Sequence, residues 1–294
     1  MSRILLMICV SFIIGVSGCY NEKFTLSPPP TEAEFSTGAF SVPFPSDLFI
    51  TYAALNEMAL EVAGAPGAMV TNTPIIPSAT DAADTGDVLV AQGFLDGFST
   101  TMPMQVDFTH NIDPTSVLGG ETVRVFEVAI SPPSDSFNAV GVPIALPVSI
   151  IRELQADSDY AVSLTRSVQY QIMVKPKVPW RASDNVSLGG LSRGILVAVT
   201  SGVLDFRGNP VIRSDQFDRM ANGIPENTGN AATDGFANAI GAVVSQSLQL
   251  LAGQGMDPNS VVVTNSFTCQ SVTDVLDGAV ATTMAGGPAA VTTA

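Results

Sequence analysis

The sequence predicts a mainly β fold, a β-sandwich with a loop-rich N-terminal extension and one or two helices near the C-terminus. Three observations support this prediction. The 294 residues include 25 Gly and 20 Pro, spread among many short apolar runs, as in proteins with many turns. Residues 105–108 and 122–128 alternate polar and apolar side chains, the pattern of a strand with one buried face. Helical spacing of apolar residues appears only in a late segment, after residue 232.

The predicted sandwich spans about residues 100–212. Its clearest unit is the pair of strands at 105–108 and 122–128, joined by a loop in which Asp113, Pro114 and two consecutive glycines supply turn chemistry. Further strand candidates lie at residues 140–151, 160–174 and 194–200. The sandwich is therefore expected to contain six or more strands.

A helical part is expected at about residues 214–254. Thr233 or Asp234 can cap a helix, and Gly253 and Gly255 end the helical pattern. Apolar side chains recur between them at three- and four-residue intervals, at Phe236, Ile240, Val243, Val244, Leu248 and Leu251. This stripe predicts a helix packed against the rest of the domain. Residues 260–268 then return to a strand-like pattern.

Residues 1–18 have the features of a lipoprotein signal peptide. Arg3 gives a positive start, an almost wholly apolar run extends to Val16, and small residues precede Cys19. The last four residues of this segment resemble the lipobox of bacterial lipoproteins, which implies that Cys19 is lipidated, with palmitate as an expected acyl group. The alternative is an uncleaved anchor helix, although the run is short for a membrane span.

The segment after Cys19 extends these predictions. Residues 19–35 are polar and rich in proline, which is typical of an extended tether. The residue directly after Cys19 is Tyr20, not the Asp that indicates retention at the inner membrane in Gram-negative lipoproteins. We therefore expect a lipid-anchored protein of the outer membrane, in a location that can include the cell surface.

Composition excludes some classes of function. Lys plus Arg total 12 against 27 Asp plus Glu, a formal net charge of −15, so nucleic acid is not expected as a partner. Charged residues make up 13% and hydrophobic residues 46%, which is typical of a folded domain rather than of an acidic disordered tail. Because Cys9 would leave with the signal peptide and Cys19 would be lipidated, Cys269 has no cysteine partner within the chain.

One acidic segment has two interpretations. Asp81, Asp84, Asp87 and Asp96 lie in or beside a turn-rich stretch, and calcium prefers carboxylate oxygens on flexible backbone. Their spacing fits no EF-hand loop, so a solvated surface loop is the alternative. No cofactor is expected. The single His and the one unlipidated Cys cannot complete a tetrahedral zinc site without acidic ligands, and we find no phosphate- or dinucleotide-binding motif.

The remaining polar candidates are expected to serve the fold. His110 is the only histidine and follows a predicted strand, with no activated nucleophile nearby in sequence. Cys269 lies in a predicted strand, where it would be a small buried hydrophobic residue. Asp113 and Asp205 stand beside Pro, Gly or a turn, where carboxylates bond backbone amides.

These residues carry two resemblances. Residues 108–126 and 196–210 resemble bacterial Ig-like domains, which implies an Ig-like sandwich. Three short motifs resemble the N-terminal domain of bacterial virulence-factor lipases: PFPSDLF at 43–49, LDGFST at 95–100 and SFTCQS at 266–271. The second resemblance covers residues 36–276 and leaves 277–294 as a linker or truncated tail. It implies a C-terminal or separate α/β-hydrolase domain that hydrolyses lipid esters at the cell surface.

No catalytic residue is expected in this chain. An α/β-hydrolase carries its nucleophile on a strand-to-helix turn written G-x-S-x-G, followed by an acid and a histidine. We expect the sequence to lack this G-x-S-x-G string, and no histidine follows His110. The sequence therefore predicts a lipid-anchored, non-catalytic N-terminal module of an outer-membrane or surface lipase. The alternative is a stand-alone Ig-like surface lipoprotein that binds a host, glycan or envelope partner.

Overall fold

The structure is a computed structural model. It describes residues 29–37, 41–47, 97–131, 145–165, 168–183 and 187–271, without the side chains of residues 168, 169 and 231–233. From residue 31 onward the described residues belong to one unit.

The described chain forms nine strands and two α-helices. The strands are β1 (Glu32–Ala33), β2 (Met104–Asp107), β3 (Val123–Ser131), β4 (Leu146–Glu153), β5 (Tyr160–Thr165), β6 (Val168–Pro176), β7 (Ser192–Thr200), β8 (Ile212–Arg213) and β9 (Val261–Thr268). The helices are α1 (Asp215–Ala221) and α2 (Ala231–Gly253). The prediction of a mainly β fold with helices near the C-terminus is confirmed.

Two antiparallel sheets make up most of the fold. The larger has the strand order β4-β3-β7-β9 and the smaller has the order β2-β6-β5. The short strands β1 and β8 form a separate parallel pair. This arrangement of sheets is consistent with the predicted β-sandwich.

The segment predicted as one strand over 160–174 is a hairpin. Strands β5 and β6 pair antiparallel, with Val162 opposite Val174, so the chain reverses direction between Thr165 and Val168. The alternation of apolar residues continues through both arms, which is why the pattern alone suggested a single strand. The segment predicted over 140–151 is β4 from residue 146 onward, and its first residues lie outside the described part of the chain.

Strand β3 is buried on both faces along most of its length. The adjacent residues Val125 and Phe126 are both fully buried. The same core cluster also holds Val106 and Ile172 from the smaller sheet and Ile240 from α2. A strand with buried neighbours on both faces loses the simple alternation of an outer strand. Strand β3 is therefore the centre of the packed interior.

Helix α2 confirms the predicted apolar stripe. Ile240, Val244, Leu248 and Leu251 are buried, and the helix contacts β4 and β9. The preceding helix α1 begins at the cap Ser214, whose hydroxyl accepts a hydrogen bond from the Phe217 amide. Gly255, at φ +75, follows the end of α2 in the left-handed conformation that glycine tolerates.

Candidate functional site

Three segments that are far apart in the sequence meet at the C-terminal end of strand β9, on the side turned away from β7. They are residues 43–47, 97–100 and 266–271, the described parts of the three motifs found in the sequence. We call this contact region the motif junction. Leu48, Phe49, Leu95 and Asp96 of the same motifs lie outside the described residues.

The first segment connects the two sheets. Phe44 pairs with Gln105 at the edge of β2, with its amide 3.0 Å from the Gln105 carbonyl and its carbonyl 2.6 Å from the Gln105 amide. Three residues later, Asp47 contacts Thr268 of β9. The segment therefore continues the smaller sheet at one end and reaches the larger sheet at the other.

Asp47 covers the end of the β9 edge with its side chain. Its Oδ1 accepts a hydrogen bond from the Thr268 amide at 2.8 Å, and its Oδ2 accepts one from the Thr268 hydroxyl, also at 2.8 Å. An edge strand normally offers such amides to water or to another strand. Here the carboxylate takes the place of a neighbouring strand.

Burial changes the acidity of Asp47. The residue is 3% exposed. Loss of hydration raises the pKa of its carboxyl to about 7, although the backbone and side-chain hydrogen bonds from Thr268 act in the opposite direction. Burial therefore keeps the Asp47 carboxyl protonated up to a higher pH than is usual for an aspartate.

Asn265 and Ser46 complete the polar part of the junction. The side-chain Nδ2 of Asn265 donates to the carbonyl of Pro45 at 2.6 Å and to that of Pro43 at 3.2 Å. Its side-chain oxygen accepts a hydrogen bond from the Ser46 hydroxyl at 2.6 Å. Ser46 and Asn265 are both buried. Their bonds hold the proline-containing segment against β9 and satisfy polar groups that burial would otherwise leave without partners.

The second segment lies beside the residues that follow β9. The Phe98 amide donates to the Thr268 carbonyl at 2.8 Å, and the Gln270 amide donates to the Phe98 carbonyl at 2.8 Å. A Cβ on Gly97 would lie 2.8 Å from backbone atoms of residues 268–270. Glycine is required at this position because the two backbones are too close for any side chain.

Aromatic rings fill the apolar side of the junction. Phe98 makes edge-to-face contacts with Phe44 and with Phe267, with 5.9 Å between ring centroids in each pair. Each motif thus contributes one ring to a continuous series of edge-to-face contacts. The motif junction combines a set of buried hydrogen bonds with an aromatic cluster. Both connect the smaller sheet to the larger one.

Cys269, the residue that follows β9, is fully buried. Burial raises the pKa of its thiol far above the usual range, and the nearby Asp47 carboxylate acts in the same direction. A thiol in this state is a poor nucleophile. The expectation of a buried, apolar role for Cys269 is confirmed.

The structure also places the other polar candidates. His110 is exposed, and its Nδ1 lies 3.0 Å from the Thr109 hydroxyl. Asp113 caps a short 3-10 turn by accepting the Thr115 amide at 2.9 Å. Asp205 accepts the amides of Arg207 and Asn209. Burial raises the pKa of Asp205, but the hydrogen bonds from Asn209 and Arg207 outweigh this effect and leave it below its ordinary value.

The acidic residues considered for calcium, Asp81, Asp84, Asp87 and Asp96, lie outside the described residues, as does Cys19. Within the part of the chain that the structure describes, no group of three or more His, Cys, Asp or Glu residues could hold a metal ion. Among the same residues, no helix is both long and apolar enough to cross a membrane.

Sequence reasoning overlooked one string that does spell G-x-S-x-G. It is Gly190-Leu191-Ser192-Arg193-Gly194. In the structure Ser192 is the first residue of β7 and pairs with Ile130 of β3. A turn leads into a strand here, whereas a nucleophile elbow leads from a strand into a helix. The string therefore has the letters of the motif without its geometry, and the only histidine, His110, precedes it in the sequence.

Together the two sheets, the terminal helices and the motif junction define a mainly β domain whose distinguishing residues are buried in structural contacts. The sequence profile of the bacterial virulence factor lipase N-terminal family matches residues 33–293. The chain belongs to this family, as its three motifs predicted. Comparison with curated proteins and with solved structures gave no match.

Proposed function

We propose that this chain is the lipid-anchored, non-catalytic N-terminal module of a bacterial surface lipase. Its partner would be an α/β-hydrolase domain, C-terminal or separate, that hydrolyses lipid esters. The module would position the hydrolase domain at the membrane and support its folding. The observation that carries the proposal is the family match over residues 33–293.

The roles of individual residues support a non-catalytic module. Asp47, Asn265 and Thr268 bind one another or nearby backbone across the motif junction. Ser192, in the overlooked string, occupies a strand position rather than an exposed turn between strand and helix. A serine hydrolase requires its nucleophile within hydrogen-bond reach of a histidine base. His110 instead lies in the connection between β2 and β3.

Lipid anchoring at the outer membrane is supported by the sequence of residues 1–19. An apolar run followed by small residues and a cysteine is the signal for lipoprotein processing, and the proline-containing segment to residue 35 would separate the domain from the lipid. In this arrangement Cys19 carries the acyl chains. The net charge of −15 makes electrostatic adhesion to anionic lipid unfavourable, so covalent lipid would supply the attachment.

Ester hydrolysis tests the non-catalytic role. The purified chain is assayed on p-nitrophenyl butyrate and p-nitrophenyl palmitate, beside an α/β-hydrolase domain from a lipase of the same family. We expect no turnover by the chain alone and higher activity or yield of the hydrolase domain when both are present. Turnover by the chain that is lost in Ser192→Ala would overturn the proposal.

Metabolic labelling tests the anchor. Cells that express the chain are grown with an alkyne analogue of palmitate, and the labelled protein is followed in separated membrane fractions. We expect label and outer-membrane recovery for the natural sequence and loss of both in Cys19→Ser. Equal labelling of Cys19→Ser, or recovery of the natural sequence with the inner membrane, would contradict this part of the proposal.

A further inference from the structure

A cluster of charged residues, separate from the motif junction, surrounds a cleft beside strands β3 and β4. The cleft has a volume of about 190 Å³. Its lining includes Glu127, Arg152, Asp159, Val178, Trp180 and Arg181. We call it the arginine cleft. It does not include the residues of the motif junction.

Glu127 forms the charged floor of the arginine cleft, and its side chain is 2% exposed. Two guanidinium groups already neutralise it. Arg152 Nε donates to Glu127 Oε2 at 2.9 Å, and Arg193 Nη1 donates to Glu127 Oε1. Both carboxylate oxygens therefore have a charged donor, as a buried carboxylate requires.

Arg152 also binds the second acid of the cleft. Its Nη1 donates to Asp159 Oδ2 at 3.0 Å. A backbone hydrogen bond from Gln155 lowers the pKa of Asp159, and Arg152 lowers it further. Both acids of the cleft thus have their partners without Arg181.

Arg181 makes a longer ion pair with Glu127 and donates no hydrogen bond to it. Its side chain is 63% exposed, and its Nη1 lies 4.0 Å from Glu127 Oε1, beyond hydrogen-bond distance. Three guanidinium groups, those of Arg152, Arg181 and Arg193, face two carboxylates, those of Glu127 and Asp159. These five side chains together carry one positive charge in excess, in a chain whose net charge is −15, although Arg193 itself is not part of the cleft lining.

The other residues that line the cleft are apolar: Leu154, Val178, Pro179, Trp180 and Ile195. Trp180 is 4% exposed. Its backbone amide donates to the Thr100 carbonyl at 2.7 Å, and its indole Nε1 donates to the Met102 carbonyl at 3.0 Å. Val178, beside it in sequence, is 58% exposed. An apolar wall of this kind, next to an arginine with unused donors, is typical of sites for small organic anions.

We propose that the arginine cleft binds a small organic monocarboxylate. The single excess charge matches a monoanion. The planar guanidinium of Arg181 can donate two parallel hydrogen bonds to one carboxylate. A short alkyl group would lie against Val178 and the apolar wall. Arg181 binds the anion, while Arg152 and Arg193 neutralise the floor and so remove the repulsion that Glu127 would otherwise exert.

The protein contains one tryptophan, so fluorescence can report on the cleft directly. The purified full-length chain is titrated with sodium butyrate, with sodium octanoate and with sodium phosphate. Ionic strength is held constant with sodium chloride. We expect saturable changes in Trp180 emission with the carboxylates, and weaker binding of phosphate, which is mostly a dianion at pH 7.5.

Two arginine variants decide the assignment. Arg181→Gln should bind butyrate at least about tenfold more weakly, since a charge-assisted hydrogen bond contributes that much or more. Arg207→Gln removes an exposed arginine outside the cleft and should leave binding unchanged. Both variants should retain the natural melting temperature to within a few degrees, because neither side chain is buried.

Three results would overturn the proposal. The first is the absence of a saturable fluorescence change with either carboxylate. The second is binding that Arg181→Gln and Arg207→Gln weaken equally, which would show a general charge effect. The third is tighter binding of phosphate than of butyrate, which would assign the cleft to a phosphate-bearing ligand instead.

Discussion

At the scale of single residues, the protein stabilises two buried carboxyl groups in different ways. Asp47 receives hydrogen bonds from the neutral amide and hydroxyl of Thr268. Glu127 is bound by two guanidinium groups. Neutral donors do not fully replace water around a carboxylate, whereas guanidinium groups supply an opposite charge as well. The two residues should therefore respond differently to substitution.

The acidity of Asp47 should make stability fall as pH rises. The unfolded carboxyl loses its proton near 3.8, whereas the folded one keeps it until about 7. Between these values the folded state binds more protons, so the free energy of unfolding falls by on the order of 1 kcal/mol per pH unit. Asp47→Asn removes this titration. Its amide can still accept from the Thr268 amide and donate to the Thr268 hydroxyl.

Urea unfolding of the natural chain and of Asp47→Asn between pH 4.5 and 7.5 measures the effect. Other acids titrate alike in both proteins, so the difference in unfolding free energy isolates Asp47. We expect the variant to become more stable relative to the natural chain as pH rises. A difference that stays constant over the range would show that Asp47 has an ordinary pKa.

Glu127 should be far more sensitive to charge removal than a paired carboxylate near the surface. Glu127→Gln leaves Arg193, whose side chain is 12% exposed, without its carboxylate. We expect a loss of about 3–5 kcal/mol in the free energy of unfolding. Glu153→Gln is the matched control, because Glu153 pairs with Arg124 but is 31% exposed, and it should cost about 1 kcal/mol or less. Equal losses in the two variants, measured by urea unfolding, would contradict this account.

At the scale of elements, strand β9 shows how a sheet edge can be closed without another strand. Asp47 takes the Thr268 amide, and Phe98 pairs with the backbone on either side of Cys269. These contacts use side-chain groups and short bridges instead of a regular ladder. They protect the end of this edge, which would otherwise be free to pair with a second chain.

Because the second motif lies so close to the end of β9, adding one methyl group at Gly97 should reduce stability. In Gly97→Ala the added Cβ would lie 2.8 Å from backbone that cannot move independently of β9. We expect a loss of about 1–3 kcal/mol in unfolding free energy, measured by urea unfolding. Gly253→Ala is the control, since no neighbouring atom lies within 4 Å and the new side chain continues α2. Gly97→Ala as stable as Gly253→Ala would show that the segment can shift.

At the scale of the whole molecule, the sequence predicted fold class better than it predicted the contacts between distant elements. The apolar stripe of α2 and the alternation in β2 and β3 depend on neighbours in sequence, so periodicity revealed them. Sheet order depends on contacts over long separations. The pairing of β7 with β9 across both helices had no local signal.

The candidate site was predictable in part. The three motifs were visible in sequence, but their convergence was not, because 221 residues separate Asp47 from Thr268. The charge pairs of Glu127 were also hidden. Arg152 and Arg193 come from different strands, β4 and β7, and only the sheet register brings them to one carboxylate.

Burial of Cys269 provides a probe of global unfolding. Its thiol is inaccessible and its pKa is raised by burial, so alkylation requires the core to open. Incubation with iodoacetamide, followed by mass spectrometry of the peptide that contains Cys269, should show no modification in native buffer and full modification in 6 M urea. Mapping the peptide separates this thiol from Cys9 and Cys19. Rapid labelling in native buffer would mean that the end of β9 opens locally.

The motif junction also has a consequence for the order in which the protein can fold. It joins residues near the start of the domain to residues near its end, so the entropy cost of closing a long loop must be overcome before the junction forms. Chains dominated by such distant contacts fold slowly. During synthesis the larger sheet lacks its fourth strand until residue 268 has emerged. The chain would therefore remain loosely structured through most of its elongation.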